Sequence, residues 1–133
     1  MYNIFLDDYR VPRNVYNLGG GLIYLHNNDW VIAKSYDQFV SLIEKRGLPH
    51  SISFDHDLGD AHYNVPKDPE NIPYEKYTEK TGMECAKWLI EYCLDNNKNL
   101  PEYYVHSANP VGAKNIKSLL DSFKNRRIKE QKA

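Results

Sequence analysis

At 133 residues the chain is the size of one ordinary domain, long enough to bury a core without disulfide or metal staples. Its 17 basic and 18 acidic residues leave a net charge of -1, which argues against a dedicated binder of duplex nucleic acid or of membrane and towards a small, local partner. Cys85 and Cys93 fall on one expected helix about 12 Å apart along its axis, too far for a disulfide, so reduced core thiols are expected. No signal-peptide pattern precedes Asp7, Asp8 and Arg10, and no apolar stretch is long enough to span a bilayer, so the expected location is cytoplasmic.

Ile4, Phe5 and Leu6 form a short apolar run that stops at Asp7-Asp8, the pattern of a strand buried on both faces of a parallel sheet. Tyr9 to Asn17 shows no helical period and reads as irregular. Gly19-Gly20-Gly21 lacks the Lys-Ser/Thr of a phosphate-cradling loop and reads as a flexible turn. Leu22 to His26 and Trp30 to Lys34 flank Asn27-Asn28-Asp29, which predicts a hairpin. Ser35-Tyr36-Asp37-Gln38 is a capping box, and Tyr36, Phe39, Val40 and Ile43 continue it as an amphipathic helix closed by Arg46-Gly47 and Pro49.

A second strand follows at once, so strand, helix and strand predict parallel pairing through a right-handed crossover. In this strand Ile52 and Phe54 alternate with Ser51 and Ser53, and it runs into Asp55-His56-Asp57 before Gly59. Asp60 to Lys80 is a polar connection containing Pro66, Pro69 and Pro73, with Tyr63, Tyr74 and Tyr77 spread through it. Loops of this length are often lids or binding loops. Thr81-Gly82-Met83-Glu84 reads as a second capping box ahead of an apolar face of Met83, Ala86, Leu89, Ile90, Cys93 and Leu94. Tyr103 to Val105 is another expected strand, ending at His106-Ser107. Asn109-Pro110 then caps and opens the last helix, marked by Ala113, Ile116, Leu119, Leu120 and Phe123, with a basic tail from Lys124 that is expected to fray.

Three expected parallel strands therefore end in Asp7-Asp8, Asp55-His56-Asp57 and His106-Ser107, at the edge where ligands bind in open α/β sheets. Polar turns use the same residue types, so a purely structural origin stands beside the functional one. This arrangement resembles response-regulator receiver domains, with Asp7 and Asp8 matching the metal-binding acidic pair, Asp55 the phosphate-accepting aspartate and Ser107 the switch hydroxyl. Departures from that pattern are a missing fifth strand with its lysine, and the Arg10 to Asn28 segment in place of the first helix.

The chain is more closely similar to the cyclic-phosphate-processing receiver-like family, through Leu6-Asp7-Asp8-Tyr9-Arg10-Val11-Pro12, Ser53-Phe54-Asp55-His56-Asp57-Leu58-Gly59, Thr81-Gly82 and His106-Ser107-Ala108-Asn109-Pro110. The resemblance implies one receiver-like domain over residues 1–133, an α/β, truncated receiver-like (flavodoxin-like) three-layer sandwich whose sheet is mainly parallel with an inserted hairpin. It also implies action on cyclic phosphate bonds of a small-molecule cyclic nucleotide or a cyclic-phosphate end. No oligomeric state follows from it.

Opening a cyclic phosphodiester needs an activated water, neutralised phosphoryl oxygens and a proton for the leaving oxygen. Asp8 and Asp55, with Asp7 as a third oxygen donor or an acceptor behind the ligands, are the candidate holders of Mg2+ or Mn2+, which prefer hard oxygen ligands. His56 and His106 are the candidate general acid and base, in either order, with Asp57 orienting one imidazole. Arg10, Ser107 and Asn109 are the candidate phosphate binders. Each has an alternative: Asp7 holding backbone donors, His106 as a satisfied structural histidine, Asn109 as a helix cap, Arg10 in an ion pair, and the two histidines as ligands of a softer metal. The enzyme reading, a metal-dependent phosphodiesterase, competes with a binding module that sequesters such a ligand without turnover. It also competes with a degenerate receiver acting through a protein partner.

Overall fold

The computed structural model describes residues 2–17, 21–26, 30–58, 81–107 and 109–132. The expected lid from Asp60 to Lys80, with Tyr63, Tyr74 and Tyr77, lies outside them, as do Gly19, Gly20 and Asn27-Asn28-Asp29.

In chain order the elements are β1 (Asn3–Leu6), α1 (Pro12–Asn17), α2 (Ile23–His26), β2 (Trp30–Ala33), α3 (Tyr36–Arg46), β3 (Ser51–Phe54), α4 (Gly82–Asp95), β4 (Glu102–Val105) and α5 (Pro110–Lys132). The strands form one sheet in the order β2-β1-β3-β4, with every pair parallel. This is the receiver-like, flavodoxin-like order, whose reversal point lies between β1 and β3. The described residues hold no fifth strand, so β4 is an edge.

Burial follows position in the sheet. The central strands β1 and β3 are buried at every residue, whereas the edge strands β2 and β4 are mostly half-buried. One face carries Ile4, Leu6, Ile52 and Phe54 into a core with Phe39 and Ile43 of α3, Leu89 and Cys93 of α4, and Ile116 and Leu120 of α5. The other face sets Phe5 against Val15 of α1 and Tyr24 of α2, backed by Trp30 and Ile32. The sheet thus lies between two helical layers. On the α1–α2 side the residues alternating with the β3 apolar pair are Ser51 and Ser53, both buried.

Two expectations are corrected. No hairpin spans Leu22 to Lys34 among the described residues: Ile23–His26 is a helical turn, and Trp30–Ala33 pairs parallel to β1 with Trp30 opposite Asn3. Alternation of apolar residues around a polar turn is shared by hairpins and by helix-to-strand connections, and here the vacant edge of β1 decides between them. The segment read as irregular contains α1, whose weak period leaves only Val15 buried. Burial of one residue per turn is too sparse a pattern to register as helical. The basic tail is helical, with α5 continuing to Lys132 and Arg127 Nη2 donating to Asn97 Oδ1 at 2.8 Å.

The two capping boxes also differ. Ser35 Oγ accepts from Gln38 N at 3.2 Å, and Gln38 Oε1 accepts from Lys34 N at 2.9 Å. Thr81 makes no side-chain cap bond, and Glu84 instead reaches Lys87 at 3.8 Å. At the other end of α3, Gly47 takes a φ of 80°, the left-handed conformation that favours glycine, and its N–H donates to Ile43 O. Cys85 and Cys93 are buried thiols not joined in a disulfide, and burial pushes the Cys93 thiol up to about 11. No helix among the described residues is long and apolar enough to cross a membrane.

Candidate functional site

The sheet ladder runs one residue past each strand. Asp7 N donates to Ala33 O at 3.0 Å, Asp55 N to Leu6 O at 3.0 Å, and His106 N to Phe54 O at 2.9 Å. Extending the register by that residue sets Asp7, Asp55 and His106 side by side on the α1–α2 face. Asp8 follows immediately, and each of Asp7, Asp8 and Asp55 offers a carboxylate oxygen within 4.8 Å of the others.

Asp7 is 1% exposed and heavily partnered. Its Oδ1 accepts from Tyr9 N and Arg10 N, both at 2.9 Å, while Oδ2 accepts from His106 Nε2 at 3.0 Å and lies 3.5 Å from Arg10 Nε. Burial alone would raise its pKa. The bonds from His106 and from the backbone of Arg10 and Tyr9 outweigh burial and hold the carboxyl below the usual range. Asp55 goes the other way. Burial and the neighbouring Asp7 charge raise it, against opposing contributions from His106, a Ser107 hydrogen bond and Arg10.

Two buried carboxylates with a third whose oxygen lies within 4.8 Å, one of them raised by burial and by the neighbouring charge, form a donor set that suits a hard divalent cation. Asp7, Asp8 and Asp55 together could hold such a cation. The existing bonds on both Asp7 oxygens favour its support of the centre over a leading place in the ligand set. The softer His-Asp metal set is not assembled, because His106 spends both ring nitrogens on Ser53 and Asp7.

The two histidines lie on opposite faces. The His106 side chain is 1% exposed, with Nδ1 2.6 Å from Ser53 Oγ and Nε2 on Asp7. Its ring stacks on Phe5 at 4.3 Å with planes 9° apart, and Tyr24 meets it edge-on at 6.2 Å. Its side chain is buried and both nitrogens are engaged, the geometry that the alternative reading of His106, a satisfied structural histidine holding Asp7, calls for.

His56, one residue beyond the Asp55 tip, turns to the α4–α5 side. Its side chain is 21% exposed, and Nδ1 lies 2.8 Å from Asp57 Oδ1. Two glycines make room for this arrangement. A Cβ on Gly112 would stand 2.3 Å from His56 Cγ, and one on Gly82 would stand 1.8 Å from the Asp55 carbonyl oxygen. Gly82 N also donates to His56 O at 2.8 Å, so the start of α4 is pinned to the strand tip.

Asn109 serves as both cap and neighbour of the site. Its Oδ1 accepts from Gly112 N at 3.0 Å, while Nδ2 approaches Asp57 Oδ1 at 3.5 Å. Ser107 bonds Asp55 and accepts from Asn109 N at 3.1 Å. Arg10 ion-pairs with Asp7 through Nε, leaving its terminal amino groups as the donors that suit phosphate. Tyr9 and Val111, at the rim, are 86% and 70% exposed.

The structure therefore gathers Asp7, Asp8, Asp55, Ser107, Arg10 and His106 at one edge, with His56, Asp57 and Asn109 against the start of α5. Sequence reasoning passed over Ser53, Tyr24 and Gly112. The serines alternating with Ile52 and Phe54 were a signal of a second, polar face, and a glycine three residues after the Asn109 cap was a signal of close packing. Nothing local marked Tyr24.

A family model described as the cyclic-phosphate processing receiver domain matches residues 2–122. No curated protein matches the chain.

Proposed function

Because the chain belongs to the cyclic-phosphate processing receiver domain family, we propose that it is a metal-dependent phosphodiesterase that opens a cyclic phosphate at the carboxylate cluster. The observation that carries this reading is the cluster of Asp7, Asp8 and Asp55, with the half-buried His56 imidazole one residue after Asp55 and held at Nδ1 by Asp57. A divalent cation bound there supplies charge neutralisation for the phosphoryl oxygens and for the attacking water.

Asp57 Oδ1 accepts a hydrogen bond from His56 Nδ1–H, so the Nε2 lone pair is the one left to accept a proton from water. Gly112 and Asn109 hold that imidazole–carboxylate pair against the first turn of α5, whose N-terminal dipole favours an anion nearby. Arg10 donates to the remaining phosphate oxygens, while the Ser107 hydroxyl stays on Asp55 and steadies that carboxylate. As the phosphorus–oxygen ester bond breaks, the leaving oxygen takes its proton from solvent at the open rim. The exposed ring of Tyr9 offers a surface for the organic part of the substrate.

The burial of His106 favours a second reading, a module that binds the cyclic phosphate without turning it over, because it leaves one imidazole where two were expected. Phosphorus NMR separates the two. The protein is incubated with cyclic mono-, di- and trinucleotides and with 2′,3′-cyclic-phosphate RNA, in Mg2+, Mn2+ or chelator. The expected result is loss of one cyclic-phosphate resonance, stopped by chelator and by His56→Ala. Shifted or broadened resonances without product would replace the enzyme by the binding module.

A further inference from the structure

Behind the carboxylate cluster runs a line of buried polar contacts that hydrolysis does not use. Tyr24 Oη lies 2.7 Å from Ser53 Oγ, Ser53 Oγ lies 2.6 Å from His106 Nδ1, and His106 Nε2 lies 3.0 Å from Asp7 Oδ2. Tyr24, Ser53 and Asp7 are all buried, and the imidazole between them is 1% exposed.

Hydrogen-bond accounting gives this line a direction. Asp7 accepts two backbone N–H bonds on its other oxygen and faces Arg10, so it acts as an acceptor and the proton between it and His106 belongs to Nε2. In the neutral ring Nδ1 is then an acceptor, so the Ser53 hydroxyl must donate to it. Having spent its one proton, Ser53 accepts from the Tyr24 hydroxyl. With the ring neutral, this arrangement satisfies all four groups, as buried polar atoms require.

We propose that Tyr24 and Ser53 are positioning residues of the metal centre: they hold the His106 ring in its Nε2–H tautomer, and that ring orients the Asp7 carboxylate. A ring nitrogen held by a hydrogen bond sets what the other nitrogen can do. Phe5 stacking at 4.3 Å and Tyr24 edge-on at 6.2 Å hold the ring plane, so the hydroxyls have only the tautomer and the in-plane direction to decide. Tyr24 comes from α2, in the segment that replaces the expected first receiver helix, and its ring stacks on Trp30 of β2 at 5.8 Å. That segment thereby supplies one end of the line. The inference rests on the reading of Asp7, Asp8 and Asp55 as a cation site, and it does not depend on turnover.

Two measurements on the full chain test it. Long-range proton–nitrogen NMR of histidine-labelled metal-free protein reads the His106 tautomer, and titration with Mn2+ followed by electron paramagnetic resonance reads affinity. Wild type is expected to show a protonated Nε2 and a bare Nδ1 on His106. Ser53→Ala is expected to lose that single pattern and to bind Mn2+ about 10- to 100-fold more weakly, the usual effect of removing a group behind a metal ligand. Ser53→Thr, which keeps the hydroxyl, restores both readouts. Tyr24→Phe keeps the ring stack and is expected to move both in the same direction by a smaller factor, so the test survives if Ser53→Ala fails to fold. An unchanged His106 pattern with Mn2+ affinity within twofold of wild type in the folded variants would overturn the proposal, even if their melting temperatures fell. A wild-type protein that binds no Mn2+ would overturn it as well. Retained positioning effects in a protein that turns over no cyclic phosphate would leave this inference standing while removing the enzyme reading.

Discussion

The two faces of the sheet meet the site differently, and its two histidines show how. On the α3–α4–α5 face every inward residue of β1 and β3 is apolar, and His56 emerges there onto glycine, half-buried and paired with a partly exposed Asp57. On the α1–α2 face the strands present Phe5, Ser51 and Ser53, and His106 emerges among them with both nitrogens engaged. The same residue type at neighbouring strand tips thus ends in two environments, because one step along a strand exchanges the faces. An imidazole among buried hydroxyls is held at both nitrogens, whereas the one against the helix start keeps part of its ring exposed.

The largest effects should separate the two histidines. His56→Ala is expected to lower turnover by about 100- to 10,000-fold while leaving Mn2+ affinity unchanged, the usual range for a lost proton-transfer group. His106→Gln is expected to act first on Mn2+ affinity, about 10- to 100-fold. Steady-state kinetics alongside Mn2+ titration would break the comparison if the two variants gave the same profile. Gly112→Ala places a methyl 2.3 Å from His56 Cγ and should displace the imidazole, costing about 100-fold in turnover with metal binding retained.

The two buried carboxylates sharpen the contrast through pH. The Asp7 carboxyl is held below its ordinary value of 3.8, so its stabilising contribution is complete above that value and is lost as pH falls through its lowered folded-state pKa. Asp55 is raised above 3.8, so it opposes folding when ionised, and this opposition is relieved as pH falls through its raised folded-state pKa. In chelator at neutral pH, Asp55→Asn should therefore raise the urea midpoint. Asp7→Asn should lower stability by about 2 kcal/mol through its lost charged hydrogen bonds. A shift of the same sign in both variants would refute the opposed pKa assignment. Mn2+ affinity should weaken as pH drops through the raised Asp55 range.

The smallest effects compare the two helix starts. Ser35→Ala removes a formed cap and should cost about 1 kcal/mol by thermal or urea denaturation. Thr81→Ala removes no cap bond and should cost about 0.5 kcal/mol or less. Equal losses would mean that the Thr81 hydroxyl is engaged after all.

Much of the molecule was legible without coordinates. The apolar run Ile4-Phe5-Leu6, the alternation around Ile52 and Phe54, and the helical spacing after Ser35 and Thr81 are local patterns, and local patterns carry strand and helix type. The acidic and polar residues that end each strand are likewise read along the chain, and parallel topology then brings Asp7, Asp8, Asp55 and Ser107 together. What the sequence could not settle is which edge of the sheet takes Trp30–Ala33, since a strand's pattern does not name its neighbour. Nor could it settle which histidine is buried. That depended on the parity of each residue beyond its strand, on the missing Cβ atoms of Gly82 and Gly112, and on Tyr24 reaching Ser53 from 29 positions away. These are contacts between segments distant in the chain, and burial and hydrogen-bond partners are properties of such contacts, formed only when the layers close.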